Sequence, residues 1–233
     1  GSNDKTVKIW KEDGTLLETL EHSATVHRVA FGPGGKFLVS GSLDGRLKLW
    51  NVDGKLLRDI PAHDAPVWGV AFSPNGELIA SASGDRTVKL WRLDGTLLVT
   101  LTGHEQSVWS AAFDAESKIV ASAGVDGTVK LWSIDGALLK TLKGHESAVW
   151  DVAFCQQTNL LVSASTDKTA KLWRLDGTFV RSLLADEALV GIDCSDNGEY
   201  IATSGKDSRV KIWKPDGTFL KTLKEHKAVV RDV

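Results

Sequence analysis

The chain has 233 residues, of which 25% are charged and 42% hydrophobic, and its formal net charge is −2. The composition is typical of a globular protein in solution, and no apolar run approaches the roughly 18 residues that a membrane span needs. Because the charge is nearly balanced, we expect neither a nucleic-acid partner nor a membrane partner, both of which favour a basic surface.

The sulfur-containing residues are few. Two cysteines, Cys155 and Cys194, are too few for a disulfide framework and indicate a reducing, cytoplasmic location. Their spacing fits no metal site, so we interpret them as buried or idle thiols and predict no metal and no cofactor. The absence of Met predicts that the chain is a processed or excised piece.

Six near-copies of one segment follow one another along the chain, and each ends in a Trp. These are Trp10, Trp50, Trp91, Trp132, Trp173 and Trp213. Successive Trp are 40 or 41 residues apart, a period that leaves no room for a separate domain.

Each repeat contains four strand signals in a fixed order. An Asp-Gly pair follows each Trp, as at 13–14, and favours a type I′ hairpin into a second strand such as 96–101. A loop bearing His leads to a strand such as 67–72, and a Pro/Asn/Gly turn leads to one such as 78–83. Four short strands per period without helical periodicity predict an all-β chain of four-stranded antiparallel blades, a β-propeller.

The predicted organisation is one β-propeller domain over residues 1–233. Its repeats are approximately 1–21 (partial), 22–62, 63–103, 104–144, 145–184, 185–225 and 226–233 (partial).

On these repeats the chain resembles the WD-repeat β-propellers over essentially its whole length. The residue after each Trp departs from the name-giving Asp; it is Lys11, Asn51, Arg92, Ser133, Arg174 or Lys214. The uniform repeats with Asp-Gly hairpins resemble bacterial members more than divergent eukaryotic ones.

The resemblance implies a structural tetrad of His, hydroxyl, Asp and Trp within each blade. It maps onto His22, Ser40, Asp44 and Trp50; His63, Ser81, Asp85 and Trp91; His104, Ser122, Asp126 and Trp132; and His145, Ser163, Asp167 and Trp173. An active site is needed once, not once per repeat, so we interpret these recurring groups as structural and predict no catalytic residue.

The last two tetrads are irregular. The fifth repeat has Ala185 at the His position, which leaves Thr203, Asp207 and Trp213 without an imidazole and predicts a less stable blade. The remaining His, His226, is expected to serve Asp4 and Trp10. Residues 226–233 would then join a blade that the N-terminal residues begin.

That sixth blade is split between the termini and lacks a strand. Unpaired backbone groups would then line one strand edge. Two explanations are open: the array continues in a longer chain with seven or more blades, or a partner supplies the strand. A ring of six blades is the literal count.

Positions that break the periodicity are the candidates for recognition. Five residues after the His position stand His27, Trp68, Trp109, Trp150, Val190 and Arg231. The resemblance implies that this position lies near the entrance of the central channel, on the face used for partners. Trp and Arg are common at binding hot spots, so we predict that His27, Trp68, Trp109, Trp150 and Arg231 bind a partner. The alternative is that the indoles only pack at the seams between blades.

Three functions remain open at this point. The first is a non-catalytic scaffold or regulatory module that binds a protein or peptide, including other domains of a longer parent chain. The second is a propeller that binds a small ligand or a glycan by stacking it on Trp68, Trp109 and Trp150. The third is an enzyme, which we do not expect, because only His27 and Arg231 stand outside the repeated pattern at the channel mouth.

Overall fold

The computed structural model describes residues 1–195, 197–224, 226–231 and 233. Its strands, in chain order, are β1 (Thr6–Trp10), β2 (Leu16–Glu21), β3 (Val26–Phe31), β4 (Phe37–Ser42), β5 (Arg46–Asn51), β6 (Leu56–Pro61), β7 (Val67–Phe72), β8 (Leu78–Ser83), β9 (Thr87–Arg92), β10 (Leu97–Thr102), β11 (Val108–Phe113), β12 (Ile119–Gly124), β13 (Val129–Ser133), β14 (Leu138–Leu142), β15 (Val149–Cys155), β16 (Leu160–Ser165), β17 (Thr169–Arg174), β18 (Phe179–Leu184), β19 (Leu189–Cys194), β20 (Ile201–Gly205), β21 (Val210–Trp213) and β22 (Phe219–Leu223). A 3-10 turn, Pro33–Gly35, separates β3 from β4.

Consecutive strands pair into antiparallel sheets. Five sheets have four strands (β3–β6, β7–β10, β11–β14, β15–β18 and β19–β22), and β1 and β2 form a two-stranded sheet. The all-β, four-stranded-blade prediction is therefore confirmed. Each four-stranded sheet lies within one of the predicted repeat ranges.

The first strands of successive sheets face one another: β3 contacts β7, β7 contacts β11, β11 contacts β15 and β15 contacts β19. Arg28 on β3 lies close to Asp151 on β15, with 3.5 Å between Nη2 and Oδ2. Two other first strands, β7 and β11, lie between β3 and β15 along the chain. The first strands therefore curve around a central channel.

Apolar side chains fill the seams between neighbouring sheets rather than one central core. Leu90 and Leu101 of the second four-stranded sheet share a buried cluster with Val120 and Trp132 of the third. The two-stranded sheet is seated in the same way, because Val7 of β1 shares a buried cluster with Trp50. The core is thus a ring of sheet-to-sheet seams, as expected for radial repetition.

The Asp-Gly hairpins differ from the type I′ prediction, which is wrong. Gly14 has φ +85°, but Asp13 is not among the residues with positive φ. Gly14 N–H donates to the Lys11 carbonyl (3.0 Å), and Lys11 N–H donates to the Thr15 carbonyl (2.9 Å). The connection is thus a three-residue loop closed by one left-handed glycine, a hairpin that needs only one positive φ.

The sixth blade has two strands, β1 and β2, rather than three. The described residues from 226 onward form no strand, although Val230 is buried and its N–H donates to the Gly205 carbonyl (3.4 Å). Val26 N–H makes the equivalent bond to the Ser2 carbonyl (3.1 Å). Residues around 230 therefore begin on the path of a first strand.

Candidate functional site

Three repeats contain a complete hydrogen-bonded chain from Trp to Asp. In the second four-stranded sheet, Trp91 Nε1–H donates to Ser81 Oγ (2.9 Å), His63 Nε2 lies 2.7 Å from Ser81 Oγ, and His63 Nδ1 lies 2.7 Å from Asp85 Oδ2. The third and fourth sheets repeat this geometry through His104, Ser122, Asp126 and Trp132 and through His145, Ser163, Asp167 and Trp173.

The pKa values of these groups follow from burial and from the pairing. Burial lowers the pKa of His63, although the Asp85 carboxylate opposes it. Burial acts to raise the pKa of Asp85, but hydrogen bonds from Thr87 and His63 outweigh it and lower that pKa. A neutral His63 can donate from Nδ1 to Asp85 and accept the Ser81 hydroxyl proton at Nε2, so the polar groups satisfy one another.

The first four-stranded sheet is arranged differently. His22 Nε2 lies 2.8 Å from Ser40 Oγ, but His22 Nδ1 lies 3.3 Å from Ser42 Oγ instead of contacting Asp44. The Asp44 carboxylate accepts from Ser23 and Ser42. Burial first, and then the Lys48 ammonium, lower the pKa of His22 to about 4. The hydroxyl at position 23, where the next three repeats have an acidic residue, explains why Asp44 turns away.

The fifth sheet, which has Ala185 in place of His, keeps part of the network. Trp213 Nε1–H donates to Thr203 Oγ1 (3.0 Å), and Asp207 accepts from the Arg209 backbone N–H (3.1 Å). Thr203 and Asp207 therefore have partners without an imidazole. The lower stability expected of this blade stays a prediction.

The expected tetrad of His226, Asp4 and Trp10 is not assembled in the described part of the chain. Trp10 is 55% exposed, His226 is exposed, and Asp4 accepts from the Thr6 backbone N–H and hydroxyl. Among the described residues, no second strand lies beside β1. In the first four of the four-stranded sheets that strand carries the hydroxyl that links Trp to His.

Four of the residues singled out for recognition lie against one another at the channel. Trp68 and Trp109 are stacked with ring centroids 4.3 Å apart, and the Trp150 ring lies 4.1 Å from that of Trp109. His27 meets Trp68 edge-on at 5.0 Å, and its Nδ1–H donates to the Trp68 carbonyl (2.9 Å). We call His27, Trp68, Trp109 and Trp150 the aromatic cluster; all four side chains are half-buried.

The aromatic cluster lines a cavity of about 260 Å³, which we call the channel cavity. The other lining residues are Arg28, Asp151, Val190, Lys206, Val229 and Arg231. Lys206 and Arg231 are exposed, so their charges border the cavity on its open side. Burial lowers the pKa of His27, and the nearby Arg231 and Arg28 act in the same direction. His27 is therefore neutral near pH 7, and the cations at the cavity are two Arg and one Lys.

Arg28 and Asp151 belong to this site but were missed by the sequence reasoning. The Asp151 side chain is 4% exposed, and its carboxylate accepts from the backbone N–H groups of Val152 (3.0 Å) and Ile192 (3.2 Å) besides facing Arg28. The sequence contains a pattern that could have identified the two residues. The position six residues after the tetrad His is occupied by Arg28, Gly69, Ser110 and Asp151 in four successive repeats, and only the first and last of these are charged.

The two cysteines are joined, so their interpretation as idle thiols is wrong. Cys155 ends β15 and Cys194 ends β19, the first strands of neighbouring sheets, and a disulfide links them with 5.2 Å between the Cα atoms. The ring brings them together despite 39 residues of separation. The cysteine count therefore no longer supports a reducing location.

Two searches of the described residues bear on the site class. No group of three or more His, Cys, Asp or Glu side chains in this part of the chain could hold a metal ion. Within the same residues, no helix has the length and apolar character for crossing a membrane.

Comparison with known proteins identifies related propellers. The family model described as the IFT122 first beta-propeller matches residues 1–233. The nuclear distribution protein nudF of Aspergillus niger is 39% identical over 66 residues, 27% of this chain and 15% of that protein. The nuclear distribution protein PAC1 of Tuber melanosporum is 41% identical over 63 residues, 26% of this chain and 14% of that protein. PAC1 of Coccidioides posadasii is 47% identical over 53 residues, 22% and 11% respectively.

These matches to whole proteins are short. The chain spans between 11% and 15% of the length of the three relatives, and the matched stretches of 53 to 66 residues correspond to between one and two repeats. All three are fungal, and the resemblance to bacterial members stays a prediction.

Proposed function

Because the chain belongs to the family of the IFT122 first beta-propeller, among the WD-repeat β-propellers, we propose that it is a non-catalytic scaffold or regulatory module that binds a protein or peptide at the channel cavity. The observation that carries the proposal is the aromatic cluster beside two exposed cations. Aromatic and Arg side chains around a cavity are typical of binding hot spots. The names of the relatives are consistent with an interaction module but indicate no particular partner.

Aromatic packing favours a peptide over a glycan. The faces of Trp68 and Trp109 are turned toward each other at 4.3 Å, with 19° between the ring planes. A sugar needs a free indole face on which to stack, whereas an apolar side chain can fill the cavity against ring edges. The facing sides of Trp68 and Trp109 are therefore closed to a sugar in this arrangement.

The titratable groups at the cavity support a non-enzymatic role. Asp151 is held by two backbone N–H groups and Arg28, and His27 Nδ1 is held by the Trp68 carbonyl. The Asp151 carboxylate is therefore engaged by the scaffold rather than free to act as a general acid or base. We also propose, from the net charge of −2, that nucleic acid and membranes are not partners; the cytoplasmic location stays a prediction.

An affinity experiment on the intact chain tests this function. We expect a host protein to be retained by the wild type and lost from a Trp68→Ala/Trp109→Ala/Trp150→Ala variant that melts at a comparable temperature. The matched control is Leu56→Ala/Leu97→Ala/Leu138→Ala, which removes exposed apolar side chains from the outermost strands. Retention of the same protein by both variants would contradict binding at the channel cavity. Elution by simple sugars, with quenching of Trp fluorescence, would favour the glycan binder.

A further inference from the structure

The lining of the channel cavity includes two hydrogen-bond donors that no described residue satisfies. The indole N–H groups of Trp109 and Trp150 are buried and have no acceptor in the part of the chain that the structure describes. The Trp that ends each repeated segment from the second to the sixth is different, because its indole donates to a hydroxyl at 2.8 to 3.0 Å. A buried N–H without an acceptor costs free energy, so a ligand acceptor that meets either indole stabilises the complex.

The open side of the cavity adds two cations without a counter-ion. Lys206 and Arg231 are exposed, and neither forms an ion pair with another described residue. Arg28, the third cation, lies 3.5 Å from the Asp151 carboxylate. The lining thus combines three cations with one carboxylate, and its positive charge is not neutralised by its own residues.

Hydrogen-bond acceptors in the lining are few and mostly engaged. The Asp151 carboxylate accepts from two backbone N–H groups besides facing Arg28. The His27 Nδ1–H donates to the Trp68 carbonyl, which leaves His27 Nε2 as a neutral acceptor. A ligand that complements this lining therefore brings acceptor atoms and negative charge.

A carboxylate has both properties. Each of its two oxygens can accept from more than one donor, and hydrogen bonds to an ionised acceptor are stronger than those between neutral groups. The remaining lining is apolar: Val190 is half-buried, Val229 is 42% exposed, and both adjoin the cavity of about 260 Å³ beside the aromatic cluster. An apolar side chain is suited to this part of the cavity.

We propose that the segment bound at the channel cavity carries an acidic side chain, Asp or Glu, next to an apolar one. The apolar side chain fills the cavity against the aromatic cluster. The carboxylate pairs with Arg231 and Lys206, and it accepts from the indole of Trp109 or Trp150 after a rotation that brings the N–H to the cavity surface. Binding of a peptide at this cavity is the proposed function, on which this chemistry of the partner rests.

A basic segment is a poor occupant of the same cavity. Its cation would face Lys206 and Arg231, both exposed at the open side. The carboxylate that could attract it, that of Asp151, is 4% exposed and already paired with Arg28. Like charges placed together disfavour a partner, so the lining selects against basic segments as well as for acidic ones.

The test uses the intact chain and three blocked peptides that differ at one position. The first, acetyl-Gly-Leu-Glu-Leu-Gly-amide, carries the acidic side chain; the second has Gln there and the third has Lys. We expect the Glu peptide to bind saturably, the Gln peptide to bind about tenfold more weakly, and the Lys peptide to bind more weakly still. Titrations followed by NMR at low ionic strength measure the three affinities.

The indole N–H signals in the same spectra locate the bound carboxylate. Variants with Trp109→Phe and Trp150→Phe assign two of the nine indole signals. We expect at least one of these two signals to move downfield when the Glu peptide binds, because a new hydrogen bond deshields the proton. The indole signals of the tetrad Trp, which already have acceptors, should stay in place.

Variants that remove the cations provide the matched comparison. The Lys206→Gln/Arg231→Gln chain should bind the Glu and Gln peptides equally, because the charges that distinguish them are gone. The control is Lys221→Gln/Lys224→Gln, which removes two exposed cations from the end of the last outer strand and changes the net charge by the same amount. It should keep the preference for Glu.

Three results would overturn the proposal. Equal affinity of the wild-type chain for the Glu and Gln peptides would remove the acidic partner; if both peptides are lost from the Trp68→Ala/Trp109→Ala/Trp150→Ala variant, the proposed function would still stand. Tighter binding of the Lys peptide would assign a basic partner instead. The third result is no binding of any peptide, after which the affinity experiment decides separately whether the proposed function survives.

Discussion

At the scale of single residues, the most demanding positions follow the Asp that the repeats share. Lys5, Gly45, Arg86, Gly127, Lys168 and Ser208 all have positive φ there. A side chain costs roughly 1 to 2 kcal/mol in this left-handed region, so the position itself disfavours every residue except Gly to a similar extent. What differs between repeats is the space around it.

Gly45 and Gly127 separate these two effects. An added Cβ at Gly45 would lie 2.1 Å from the His63 carbonyl oxygen, whereas at Gly127 the nearest atom would be 3.4 Å away. We expect Gly127→Ala to lower the free energy of unfolding by about 1 kcal/mol and Gly45→Ala to lower it by clearly more, because the backbone must also shift. Urea unfolding of the two variants measures the difference. Equal losses would show that the His63 carbonyl moves away without cost.

At the scale of strands and sheets, the contacts within one blade differ from those between neighbouring blades. Within a sheet, the Trp–hydroxyl–His–Asp chain joins the second and third strands to the loop that begins the repeat, as with Trp91 and His63. Between sheets the buried seams are mainly apolar, and Cys155 and Cys194 add a covalent link between β15 and β19. The fifth sheet, which has no tetrad His, is the sheet that this disulfide attaches to its neighbour.

Removal of the disulfide tests that attachment. A cross-link that closes a loop of 39 residues stabilises mainly by restricting the unfolded chain, so the Cys155→Ala/Cys194→Ala variant should lose about 2 to 4 kcal/mol of unfolding free energy. Denaturant unfolding of the variant and of the wild type with and without reductant measures it. Two titratable thiols in the unreduced, denatured wild type would contradict the link.

At the scale of the whole molecule, ring curvature sets which groups meet in the channel. Arg28 and Asp151 come from repeats that are three periods apart. Their pairing places a cation and a carboxylate side by side in the lining of the channel cavity. The pair is unequal in burial, because the Arg28 side chain is 28% exposed and that of Asp151 is 4% exposed. The buried carboxylate therefore depends on its partners more than the guanidinium does.

A double-mutant cycle measures this link across the ring. We expect Arg28→Met and Asp151→Asn each to lower the unfolding free energy, and the double variant to lose less than the sum, with a coupling of about 1 to 3 kcal/mol. Unfolding in urea gives all four values. Strict additivity would show that the two charges do not stabilise the ring through each other.

How much was predictable differs between the parts of the fold. The repeat period and the four strands follow from the sequence pattern, and the contact of Trp91 with Ser81 is what the resemblance to the WD-repeat propellers implies. The hairpin type was wrong because Asp-Gly is compatible with both the two-residue and the three-residue loop, and only the backbone distinguishes them. The placement of His226 with Asp4 and Trp10 stays a prediction, because no strand that would join them lies beside β1 among the described residues.

By itself, therefore, the sequence determined what is local and periodic: the blades and their order. The hydroxyl that each buried Trp contacts came from the resemblance to a known family. Only the tertiary structure decided what depends on the meeting of distant strands: the Cys155–Cys194 link, the Arg28–Asp151 pair and the turning of Asp44 toward Ser23. The physical reason is that a period fixes the residues within one blade. Contacts across the ring and between neighbouring loops depend instead on the curvature of the ring and on residues that differ from the repeated pattern in one repeat only.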